Sequence, residues 1–151
     1  TLPTGWQGTS GWGGGNPDGA VGIAPSYNLC PIAAAQGSRY AMLSNFGGIR
    51  SYLEQTMCAF NGVHGRYVLG FSYSRRNGYA TPGIAVQFGE TELFRDDQVQ
   101  NVYDWSHQML SVTVSDANDD VDHVLRVENS GSMGDSTLCL DNVTFALVEE
   151  L

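Results

Sequence analysis

An all-β fold, a sandwich or barrel of short antiparallel strands, is what this sequence predicts, on three observations. Runs of alternating apolar and polar residues recur at regular spacing along its 151 residues. Turn formers punctuate them, above all the 19 Gly, and 11% of residues are aromatic. No stretch of about ten residues carries a convincing helical period. The length suits one domain over 1–151, with no linker-like stretch and no internal repeat.

Residues 1–25 are broken by Gly and Pro and read as an irregular lead-in with at most one short strand, its apolar moments being Trp6, Trp12 and Val21-Ile23. A strand over 39–45 ends at the Gly47-Gly48 turn. Over 50–58, Leu53, Gln55 and Met57 alternate with Tyr52, Glu54 and Thr56. The clearest period-2 signal is 66–74, where Tyr67, Leu69, Phe71 and Tyr73 share a face. Residues 83–94 put Ile84, Val86 and Phe88 together and turn at Gly89-Glu90. Over 108–115, Leu110, Val112 and Val114 share a face. The acidic turn at 116–120 leads into 122–128, where Leu125 and Val127 point inward. The last strand, 138–148, carries Val143, Phe145 and Leu147.

Charge narrows the function. Sixteen acids face seven bases, a net charge of −9, and all seven bases are Arg. Nucleic acid and anionic membrane surfaces are therefore poor partners. The absence of Lys removes Schiff-base and P-loop chemistry, and no apolar run is long enough to insert in a bilayer. Residue 1 is Thr and no basic-then-apolar leader follows it, so any targeting segment is expected to be gone or absent. The 116–122 acidic run lacks the Gly and Glu of an EF-hand loop and reads as a solvated turn. Glu90, Glu92, Asp96 and Asp97 are not placed across a cleft as glycoside hydrolysis requires. His64, His107 and His123 show no metal spacing, and no Ser sits in a nucleophile elbow. No catalytic set assembles, so a non-enzyme is expected. Asn142-Val143-Thr144 is a sequon that matters only in a secretory pathway.

Several phrases resemble successive strands of the galactose-binding-domain-like jelly rolls of the carbohydrate-binding-module type. They are Gly37-Ser38-Arg39-Tyr40-Ala41-Met42-Leu43, then Leu53-Glu54-Gln55-Thr56, then Gly65-Arg66-Tyr67-Val68-Leu69-Gly70-Phe71-Ser72. Val124-Leu125-Arg126-Val127-Glu128-Asn129-Ser130-Gly131 and Leu140-Asp141-Asn142-Val143 follow in the same order, and Leu2-Pro3-Thr4-Gly5-Trp6 looks like the family's Trp-containing start. The resemblance implies an antiparallel jelly-roll sandwich of eight to nine strands. It also implies a non-catalytic, lectin-like module of a secreted or cell-surface protein, joined to other domains of a larger parent and binding a glycan on a concave sheet face or a loop edge. The alternative is a protein-binding or adhesive ectodomain without sugar affinity. Sugar specificity does not transfer with a fold.

Three expectations about residues follow. The resemblance implies a structural calcium ion at Asp141, the alternative being an Asp that caps a bulge or accepts backbone N–H groups. Of the three Cys, Cys30 and Cys58 would lie at one end of two antiparallel strands and form a disulfide, leaving Cys139 a thiol at the other end. Finally, parity turns Tyr52, Glu54, Gln87, His107 and Arg126 outward, and in the resembled architecture their strands share a sheet. That face is the expected ligand site, with the loop tips bearing Tyr79 or Trp12 as the other option.

Overall fold

The computed structural model describes residues 6–8, 20–27, 30–56, 64–114 and 124–150. They form two antiparallel five-stranded sheets. Sheet A takes the order β1-β4-β9-β6-β7, built from β1 (Trp6–Gly8), β4 (Tyr52–Thr56), β9 (Val124–Glu128), β6 (Ile84–Phe88) and β7 (Thr91–Asp96). Sheet B takes the order β2-β3-β10-β5-β8, built from β2 (Ala20–Pro25), β3 (Arg39–Asn45), β10 (Ser136–Glu150), β5 (Gly65–Arg75) and β8 (Ser106–Val114). The expected jelly-roll sandwich is what the structure shows, but the 1–25 lead-in is corrected: it holds two strands rather than at most one, because β1 and β2 pair at the sheet edges with β4 and β3.

Alternation in each strand gives one apolar face, and the two faces meet in a single core. Leu53, Ile84, Val86, Leu125 and Val127 come from sheet A; Leu43, Leu69, Phe71, Val112, Val114, Leu138 and Leu140 come from sheet B. Rings join the layers, with Phe71 edge-on to Phe94 at 5.7 Å and Phe88 stacked on Phe145 at 5.7 Å. Burying this many large side chains stabilises the sandwich by roughly 1.5–3 kcal/mol each, against the entropy of ordering the chain.

The last strand departs from simple alternation. Leu138 and Leu140 point inward at its start, whereas Phe145 does so later, so the parity changes between them. A β-bulge after Asp141 makes the change: Asp141 pairs with Ser72, and the next register pair is Thr144 with Gly70. Asn142 takes the left-handed φ of 51° there, a conformation that Asn tolerates better than most residues.

A second, smaller apolar cluster lies on the outer side of sheet B. Cys30 and Ile32, from the segment before β3, pack on Tyr40, Met42 and Cys139. Cys30 and Cys139 form a disulfide with Cα atoms 6.5 Å apart. The expected Cys30–Cys58 pairing is therefore corrected, and Cys139 is not a free thiol. β3 and the strand after it do not neighbour each other: β3 belongs to sheet B and β4 to sheet A. The segment before β3 instead folds back over sheet B, where Cys139 is the register partner of Met42. Cys58 lies outside the described residues.

Candidate functional site

The outer face of sheet A carries four of the five outward residues expected to bind ligand. Backbone register places Glu54 opposite Arg126, and Arg126 opposite Gln87, which gives one row across three adjacent strands. Tyr52 lies one outward position along β4 from Glu54, opposite Glu128. The Arg126 guanidinium stands 3.8 Å above the Tyr52 ring centre. It also reaches Glu54 at 3.7 Å and Glu128 at 3.9 Å. Two carboxylates and a ring thus surround the cation, while Gln87 is exposed beside it. With Arg126 over one of its faces, Tyr52 serves first to orient the guanidinium.

At the rim of this face, Arg95 in β7 bonds Glu92 at 2.6 Å and Asp97 at 2.9 Å. Asp97 is held below the ordinary carboxylate range, chiefly by the Ser130 hydroxyl that donates to it and then by Arg95. These groups sit in water, so their pairing is worth little.

His107 is corrected. It faces outward as parity demands, but from sheet B, because the chain crosses between sheets on leaving β7. Alternation reports which way a side chain points and carries no information about which sheet its strand joins. In β8, His107 lies opposite Ser72, whose Oγ is 2.6 Å from its Nδ1.

Asp141 also faces outward on sheet B. Its Oδ2 accepts the Gln36 N–H at 3.0 Å and its Oδ1 accepts the Asn142 N–H at 2.8 Å. Each oxygen thus accepts one backbone N–H, the arrangement expected of an Asp that caps a bulge. Among the described residues no group of three His, Cys, Asp or Glu could hold a metal. In the described structure Asp141 ties the bulge to the covering segment. The N-terminal Trp-containing phrase is described only at residues 6–8, and Trp12 lies outside the described residues. Tyr79, the other loop-tip candidate, has the Arg76 guanidinium 3.3 Å over its ring.

The covering segment builds a second concave feature that sequence reasoning missed. Trp105 Nε1 donates to the Ala33 carbonyl at 2.8 Å, and the indole packs edge-on to Tyr40 at 6.0 Å. Between the 31–35 run and residues 103–107 lies a groove of about 490 Å³.

No protein-family model matches the chain, and no curated protein matches it. Solved structures do. A cyclase from Fischerella sp. TAU, in complex with 4-(1H-indol-3-yl)butan-2-one, matches at a TM-score of 0.67 and 16% identity, over 99% of this chain and 87% of that one. The CBM22-1 xylan-binding domain from Paenibacillus barcinonensis matches at 0.63 and 14%, over 95% and 86%. The K1 cleaved adhesin domain of Lys-gingipain from Porphyromonas gingivalis matches at 0.64 and 12%, over 97% and 93%. The fold is a jelly-roll β-sandwich shared with these proteins. At these identities the likeness carries the frame of the jelly roll and not its activity. It also overturns the expectation of a non-enzyme, because cyclases are built on this same jelly roll. Among the described residues no helix is long and apolar enough to cross a membrane.

Proposed function

We propose that this jelly roll is a carbohydrate-binding, adhesive module of a secreted or cell-surface protein, and that it takes a glycan on the outer face of sheet A. The observation that carries the reading is the Glu54–Arg126–Gln87 row, one residue from each of three adjacent strands. A glycan presents hydroxyls that both donate and accept along a line. Glu54 accepts, Arg126 donates, and Gln87 does either. Because Tyr52, Glu54 and Glu128 hold the guanidinium beforehand, little side-chain entropy is lost on binding. The disulfide suits an oxidising compartment, and the xylan-binding and adhesin domains that share the frame support the class.

A glycan array with the intact protein finds the ligand, and calorimetry then measures variants. Hydrogen bonds to a charged group contribute about 1.5–3 kcal/mol, so Arg126→Ala should weaken binding by about tenfold or more. Tyr52→Phe should keep it. An array without a hit, or a ligand held equally by Arg126→Ala and Gln87→Ala, rejects this face as a glycan site.

A further inference from the structure

The groove on sheet B is walled by rings and by the short 31–35 run, and polar atoms make up more than half of its exposed lining. Tyr27, Tyr103 and Trp105 contribute the rings, Asp104 and His107 the polar groups. Tyr27 and Tyr103 are 69% and 71% exposed, the first held at its backbone and the second at its ring. The Tyr103 hydroxyl accepts a bond from Asn77 Nδ2 at 3.0 Å, and the Tyr27 N–H donates to the Ile32 carbonyl at 2.8 Å. Trp105 is pinned through Ala33, and His107 through Ser72.

Two features point to an occupant. Tyr27 stands at φ 59°, in the left-handed region that bulky residues avoid. An exposed ring in a strained backbone gains nothing from core packing, and such outliers cluster at ligand clamps. Charge is the second feature. No Arg lines the groove, Asp104 is exposed with only Oδ1 engaged, by the Trp105 N–H, and the whole chain carries −9. An alkylated cation would meet ring faces and a carboxylate together.

We propose that the groove binds an organic ammonium cation, its head against the Tyr27, Tyr103 and Trp105 rings and its charge balanced by Asp104. The site is separate from the sheet A face and does not depend on the glycan reading. Its selectivity lies in charge rather than in shape. The test titrates the intact protein with choline and with the alcohol in which tert-butyl replaces the trimethylammonium head. Choline should bind at about millimolar affinity, and the uncharged isostere about tenfold more weakly. Asp104→Asn and Tyr103→Ala should each weaken choline by about two- to fivefold. Tyr27→Gly separates strain from stability: it should raise the melting temperature while weakening choline by a similar factor. Equal binding of the isostere, no saturable choline binding, or a stabilised Tyr27→Gly with unchanged affinity would each overturn the proposal.

Discussion

Asn129 holds the two sheets together through one carboxamide. Fully buried at the end of β9, it donates from Nδ2 to the Leu43 carbonyl of β3 at 3.0 Å and the Ser136 carbonyl of β10 at 3.2 Å. Its Oδ1 accepts the N–H groups of Gly83 and Gly131 at 3.1 and 3.2 Å. Those two glycines approach so closely that a Cβ on Gly131 would lie 2.3 Å from the Gly83 nitrogen. Asn45 repeats the device, donating to the Asn129 carbonyl and accepting the Ser51 N–H. Replacing Asn129 by Leu leaves two donors and two acceptors buried without partners, each worth about 1–3 kcal/mol. Urea unfolding of Asn129→Leu should therefore show a loss of about 4 kcal/mol or more, even though an apolar residue enters a buried place. A loss under about 1 kcal/mol would show that the carboxamide is replaceable. None of this was legible from residue type: at the end of a period-2 run, an Asn reads as the first residue of a turn.

Elements were far more legible than their partnerships. β3 falls on the expected 39–45 run, and β5, β6, β8 and β9 carry inward the apolar residues that alternation assigns them. Alternation is local physics, and each strand obeys it. Which strands pair is decided by contacts between residues far apart in sequence, and no period records them. His107 and Cys139 were both misplaced for that reason. The segment from 26 to 38 was invisible for a related one: its few apolar residues, Cys30 and Ile32 among them, follow no period and are bound to sheet B by single contacts. The disulfide is the strongest of these, closing a loop of 109 residues. A loop of that size contributes about 4–5 kcal/mol in the chain-entropy model. Reduction, or Cys139→Ser, should lower unfolding stability by about 2–5 kcal/mol, and peptide mapping of the oxidised protein should recover Cys30 joined to Cys139. A map joining Cys30 to Cys58 would reject this arrangement.

At the scale of the molecule, the two candidate sites turn their backs on each other across the shared core. Interior layers of a sandwich stand about 10 Å apart, so side chains on the two outer faces share no partner. Changes at sites so separated add independently. Arg126→Ala should leave choline affinity within about twofold, and Asp104→Asn should leave glycan affinity equally untouched. Calorimetry with each ligand on each variant checks this, and cross-talk beyond about fivefold would mean that the core transmits strain between the faces.

The bond between Cys30 and Cys139 also sets how the protein answers a pull. Tension applied at the two ends passes from the segment before Cys30 straight into the tail after Cys139, bypassing β3 to β9 and loading only β1, β2 and the part of β10 beyond the bridge. Only the residues outside the bridge, about 40 of 151, can then lengthen, roughly 140 Å of chain at about 3.4 Å per residue. An oxidised module in a stretched assembly is thus a short tether with a hard stop. The reduced one is a spring several times longer.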